Sequence, residues 1–172
     1  MKITQVLALV NDMEQDGVID RYAIGGAVAA AMYLEPIATL DIDIFVAFQV
    51  QENQLLISPA LLYDYLIPRG ARIEGEYLVI GDWPVQFLPP TGPLAEDALQ
   101  KAVETEVESV ATRVFSAEHL AAIALETGRP KDMARLVAFV EEGALDSDRF
   151  NQLLERFGLT EKWAMFEKRY LS

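Results

Sequence analysis

Apolar positions recur along this chain with two periods, and the change from one to the other marks out the elements. Ile3, Val6, Leu7, Leu9 and Val10 repeat at helical spacing up to Met13, and Gly17 closes that helix. Tyr22 to Ile24 is short, apolar and β-prone, so it predicts a strand, and Gly25-Gly26 after it predicts a turn. Ala27 to Leu34 is alanine-rich and helix-favouring, with Pro36 to stop it. From Leu40 to Phe48 the pattern becomes strict alternation. Ile42, Ile44 and Val46 take one face, Asp41 and Asp43 the other. The polar stretch Gln49 to Gln54 reads as loop. Ser58-Pro59 then opens a helix, Ser as cap and Pro at the first position, that turns Leu61, Leu62, Tyr65 and Leu66 inward and ends near Gly70. Arg72 to Ile80 and Pro84 to Leu88 read as two strands joined through Gly81-Asp82-Trp83.

Pro89-Pro90-Thr91-Gly92-Pro93 is the one marked break. It divides an α/β core over 1–92 from a mainly helical part over 93–172 packed on that core. In the second part Leu94 to Val103 predicts a helix, Glu104 to Glu108 a solvated acidic run, and Val110 to Phe115 a strand. Ser116 caps a helix through Glu126 that Gly128 ends. Arg129-Pro130-Lys131-Asp132 opens the next, with Met133, Leu136, Val137 and Val140 as its apolar face. Asp146-Ser147 and Thr160 cap two more, burying Phe150, Leu153, Leu154 and Phe157, then Trp163, Phe166 and Tyr170. No internal repeat interrupts the series. The class is α/β (α+β): a small mixed sheet with flanking helices, then helices.

Composition narrows the function. The chain has 172 residues, 52% of them hydrophobic, enough for a buried core. Lys and Arg number 14 against 27 Asp and Glu, a net charge of −13, so the surface at large repels nucleic acid and RNA or DNA would need a local basic patch. With no cysteine there is neither a disulfide nor a thiolate zinc site. No apolar run reaches membrane-spanning length and the N-terminus lacks a signal-peptide pattern, so a cytoplasmic protein is expected.

The candidate chemistry lies in the first strand, turn and second strand. Asp41 and Asp43 are about 7 Å apart by strand geometry, close enough to share a divalent metal. Two anions on an apolar strand repel each other and resist burial, which Mg²⁺ or Mn²⁺ would offset. Gly25-Gly26, at a helix start and lacking side chains, would let a phosphate approach free N–H groups. Paired carboxylates beside a phosphate seat point to a metal–nucleotide site. Arg129 and Lys131, near another helix start, would suit a triphosphate if the fold brought them alongside. His119, the single histidine, has no nucleophile motif beside it and reads as an ordinary helix residue.

Gly25-Gly26 followed after a short helix by Asp41-x-Asp43 resembles the nucleotidyltransferase superfamily with the polymerase-β-like fold. Arg129-Pro130-Lys131-Asp132 resembles its abortive-infection-system toxins and their relatives. The resemblance implies a metal-dependent enzyme moving a nucleotide from an NTP to an acceptor hydroxyl. In that role Asp41 and Asp43 hold the metal, Lys131 and Asp132 join the catalytic set, and Gly25, Gly26, Thr39, Gln86 and Arg129 contact the nucleotide. Three positions depart from the pattern. Gln86 stands where a third carboxylate is common, Ala124 where the toxins often carry lysine, and Arg135 where they carry a second aspartate.

Other readings stay open. One is a nucleotide-binding module of the same fold without catalysis, which the three departures favour. Another is a small-molecule nucleotidyltransferase acting on an antibiotic or metabolite, since an acidic surface attracts cationic drugs. A third, a glycosyltransferase Asp-x-Asp, fits poorly with so short a chain. The acceptor is not specified by the residues, and a protein partner or a second copy is left open.

Overall fold

A computed structural model of the protein describes residues 2–35, 38–48 and 59–172. The helix stop at Pro36, the loop at 49–54 and the Ser58 cap lie outside those residues. The described elements are α1 (Ile3–Gln15), β1 (Arg21–Ile24), α2 (Gly26–Ala30), β2 (Ile42–Ala47), α3 (Ala60–Leu66), β3 (Arg72–Glu74), β4 (Tyr77–Ile80), β5 (Trp83–Leu88), α4 (Pro93–Gln100), β6 (Val103–Val107), β7 (Val110–Val114), α5 (Ala117–Thr127), α6 (Pro130–Glu141), α7 (Ser147–Arg156) and α8 (Thr160–Phe166). A one-turn 3₁₀ helix follows α3 and ends on left-handed Gly70. Glu167–Leu171 closes the chain as a π-helical turn.

All seven strands join one mixed sheet, in the order β3-β4-β5-β2-β1-β7-β6. β2 lies near its centre, antiparallel to β1 and parallel to β5. The alternation read from the sequence appears as burial. Ile42, Ile44 and Val46 are buried, while Asp43 and Phe45 are half-buried on the other face. Helices supply the rest of the core: Val6, Leu7, Val10 and Met13 from α1, Leu136 and Phe139 from α6, and Phe150 and Leu154 from α7.

Two departures from the sequence reading matter. The stretch 72–80 is a hairpin rather than one strand, because Gly75 takes a positive φ of 63° and turns the chain. The acidic run at 104–108 holds solvated glutamates, as expected, and all of it but Glu108 lies in the edge strand β6. It pairs with β7 through a two-residue turn, Glu108 and Ser109, with φ of 46° and 70°. Both residues occupy the left-handed region that such turns demand and that Asn-Gly usually advertises, so the sequence held no turn signal there. β7 then docks beside β1 at Ile24↔Val114, so the sheet runs across the Pro89–Pro93 break. Among the described residues no helix is long and apolar enough to cross a membrane.

Candidate functional site

β1 delivers the chain to Gly25, whose N–H donates to the Asp43 carbonyl at 2.9 Å and so stitches the turn to β2. Neither glycine tolerates a side chain. A Cβ on Gly25 would lie 2.5 Å from the Phe45 ring, which itself packs on Phe115 with centroids 4.7 Å apart. Gly26 has φ of +57°, and a Cβ there would lie 2.0 Å from the Asp43 Oδ2. The open space at Gly26 is therefore first the space that admits the Asp43 carboxylate. α2 has only five residues, so its dipole at the turn is small.

Asp41 and Asp43 open into a cavity of about 500 Å³ between β2 and the helices α5 and α6. Thr39 steers Asp41: its hydroxyl donates to the Asp41 carbonyl at 3.0 Å and Oδ1 at 3.3 Å. β2 and β5 pair Asp43 directly with Gln86, and Gln86 lines the same cavity. The Gln86 amide donates to Glu76 Oε2 at 3.4 Å, and burial, with the Asp41 and Glu76 carboxylates close by, holds the Tyr77 hydroxyl above its ordinary range. Burial pushes the Asp43 carboxyl above its ordinary range and Asp41 pushes it further, while Lys131, Arg135 and Arg129 pull it back.

Those cations come from α6. Lys131 and Arg135, four residues apart, line the cavity, and neither makes an ion pair among the described residues. Arg129 caps the start of α6 and is already engaged, donating from Nε to Asp132 Oδ2 at 2.6 Å with a second contact at 3.2 Å. Asp132 is buried beneath that fork, and the pair holds the Arg129 guanidinium above its usual range. Ala124, buried on α5, presents a methyl where a charge was the alternative. The site thus has carboxylates on its sheet side and cations on its helix side.

This arrangement fits a divalent metal at Asp41 and Asp43. A cation would relieve the mutual repulsion and desolvation that raise Asp43, and the glycine at position 26 leaves that carboxylate room. Among the described residues no three His, Cys, Asp or Glu side chains stand together as a metal cage, so further ligands would come from phosphate and water.

No family model and no curated protein sequence matches the chain. Solved structures do. An antigenic nucleotidyltransferase-like protein from Paracoccidioides brasiliensis superposes with a TM-score of 0.57 at 14% identity, over 96% of this chain and 91% of that one. ANT(2")-Ia in complex with adenylyl-2"-tobramycin superposes with a TM-score of 0.54 at 16% identity, over 99% of both chains. The solution structure of the antibiotic-resistance factor ANT(2'')-Ia gives 0.53 at 17% identity, over 99% of this chain and 98% of that one. The fold is nucleotidyltransferase-like.

Within that fold, the structure collects Gly26, Asp41, Asp43, Gln86, Arg129, Lys131 and Asp132 around one cavity. Thr39 lines an adjoining one, and Gly25 sits behind the Phe45 ring. Sequence reasoning missed Glu76 and Tyr77, and it weighed Arg135 only as a departure. Gly75 was the available signal for the first two, since the turn it makes carries Glu76 to the cavity. His119 is not exposed on its helix. It is buried, with Ser116 Oγ 2.7 Å from Nδ1 and Asp97 Oδ2 2.9 Å from Nε2. Ser116 Oγ also accepts the His119 backbone N–H as the α5 cap, and Asp97 is held by Lys101 at 3.0 Å and Arg156 at 3.1 Å. The cluster clamps α4, α5 and α7 together, away from the carboxylate pair.

Proposed function

We propose that this protein transfers a nucleotidyl group from an NTP, with Mg²⁺ or Mn²⁺, to an acceptor hydroxyl. The observation that carries the reading is the opposition of charge across the 500 Å³ cavity: Asp41, just before β2, and Asp43 on it face Lys131 on α6, unpaired among the described residues. A metal–polyphosphate is the ligand with both signs in that order. When bound, the metal binds phosphate oxygens and disperses charge on the departing pyrophosphate. Asp41 and Asp43 would hold it, with Asp41 oriented by Thr39. Lys131 would balance charge on the transferring phosphoryl group. The acceptor oxygen bonds to the α-phosphorus as the bond to pyrophosphate breaks. Its proton goes to Glu76, the exposed carboxylate that Gln86 holds at the cavity wall beside the pair.

A second reading has its own support. Gln86 sits opposite Asp43, where the resemblance places a third carboxylate, and an amide gives a metal no charge. That favours nucleotide binding with weak transfer. The solved complex of ANT(2")-Ia with adenylyl-2"-tobramycin supports a small-molecule acceptor for the first reading. A toxin-type role rests only on the resemblance at Arg129–Asp132.

The test is a melt with each NTP and Mg²⁺ or Mn²⁺, followed by transfer assays with labelled NTP and cell extract. Ligand at a hundredfold excess over Kd stabilises by about 2.7 kcal/mol, which raises the Tm by about 5–10 °C for a chain of this size. Asp41→Asn with Asp43→Asn should abolish the rise while the protein stays folded. A rise that survives the double substitution would remove the carboxylates from the reading.

A further inference from the structure

A second cavity of about 710 Å³ adjoins the first and shares the wall made by Ala27, Asp41, Tyr77, Lys131 and Arg135. Its character differs. The remaining lining is Ala38, Thr39, Leu40, Pro84, Ala134 and Ala138, apolar apart from one hydroxyl. Leu40 is 89% exposed, a large apolar side chain left to solvent. Among the described residues, Lys131 and Arg135 are the only cations of this lining and Asp41 its only anion. In a protein of net charge −13 the cavity has the opposite local sign.

Arg135 is the unusual member. Its Nε is the one buried side-chain nitrogen or oxygen, among the described residues, without a hydrogen-bond partner. Other arginines are satisfied: Arg21 by the Leu99 and Gln100 carbonyls, Arg113 by Glu14, Arg129 by Asp132 and Arg156 by Asp97. A half-buried guanidinium left unpaired in a chain rich in carboxylates is not explained by stability. A planar fork, an ammonium one turn away and apolar walls together suit a phosphate carried on a flat apolar group.

We propose that Arg135, seconded by Lys131, binds a phosphate of a ligand whose apolar part fills the 710 Å³ cavity. Which phosphate rests on the metal–nucleotide reading: it belongs either to the donor nucleotide or to a phosphorylated acceptor, and the recognition chemistry is the same. A polycationic acceptor would meet like charge at this wall.

Arg135→Met keeps the stem and removes the guanidinium. Native and variant proteins are compared by calorimetry with inorganic triphosphate without metal, with ATP and Mg²⁺, and with AMP added after saturation by Mg²⁺ and a non-hydrolysable ATP analogue. Affinity for at least one phosphate ligand should fall about tenfold or more, as loss of a charge-assisted hydrogen bond does. The ligand-free Tm of the variant should equal or exceed the native value, because an unpaired buried nitrogen is gone. A loss with triphosphate and ATP assigns the phosphate to the donor. A loss with AMP alone assigns it to the acceptor. Unchanged affinity for all three overturns the proposal, whatever the Tm. Failure of the broader reading looks different: native protein would then show no Mg²⁺-dependent ATP binding, while metal-free triphosphate would still separate native protein from Arg135→Met.

Discussion

Gly26→Ala is the sharpest single perturbation, because the structure assigns it two separable effects. The first is backbone strain. At φ of +57° an L side chain costs about 1–2 kcal/mol. The second is the clash of the new Cβ with Asp43, 2.0 Å from Oδ2 and 2.9 Å from Cγ. No ordinary contact is that short, so Asp43 must swing to a poorer rotamer at about 0.5–1.5 kcal/mol. The sum is about 2–3 kcal/mol, a Tm lower by about 5–10 °C. On the proposed metal–nucleotide reading, moving one of the two proposed metal ligands should in addition weaken metal–nucleotide affinity about 10- to 100-fold. Gly17→Ala is the internal control. It has φ of +74° with nothing within 4 Å of the added Cβ, so it bears the strain without the clash. Calorimetry with Mn²⁺ and a non-hydrolysable nucleotide, beside thermal melts, separates the two. A folded Gly26→Ala protein with native affinity would refute the reasoning, as would an equal loss in Gly17→Ala.

Three further outcomes are expected. Gln86→Asp places a third carboxylate opposite Asp43, so it should tighten metal binding, raise any transfer rate and lower the ligand-free Tm; titration with Mn²⁺ decides it. Asp43→Asn should melt higher than native at neutral pH. Asp43's folded pKa is raised, so its contribution is fully present below the ordinary carboxyl value and lost as pH rises through the folded one; native and variant melts should converge in acid. Asp97 behaves oppositely. Burial alone would raise it, but hydrogen bonds from His119 and Lys101, with the Arg156 charge, hold it below its ordinary value, so its stabilisation is present above that value and is lost as pH falls through the folded one. Asp97→Asn should cost about 1–3 kcal/mol at neutral pH, seen as a lower denaturation midpoint, and progressively less in strong acid.

How much of this was legible in the residues differs from element to element. Alternation from Leu40 to Phe48 determined both the strand and the common face of Asp41 and Asp43, because side-chain direction in a strand depends on local backbone geometry alone. Ser116 and Gly128 determined the ends of α5 for the same reason: a cap is satisfied within one turn. The edge hairpin at 103–114 was not legible, since a turn at Glu108-Ser109 is imposed by the pairing of β6 with β7 rather than by residues that prefer it. Nor was the role of Gly26, whose nearest neighbour is a side chain 17 residues away in sequence. Glu76, Gln86 and Arg135 reach the Asp pair only because β5 lies beside β2 and α6 packs over the same face. Local chemistry selects the elements. Which charges end up facing one another, and which stay unpaired, is decided by long-range packing, and no single segment of the chain contains that information.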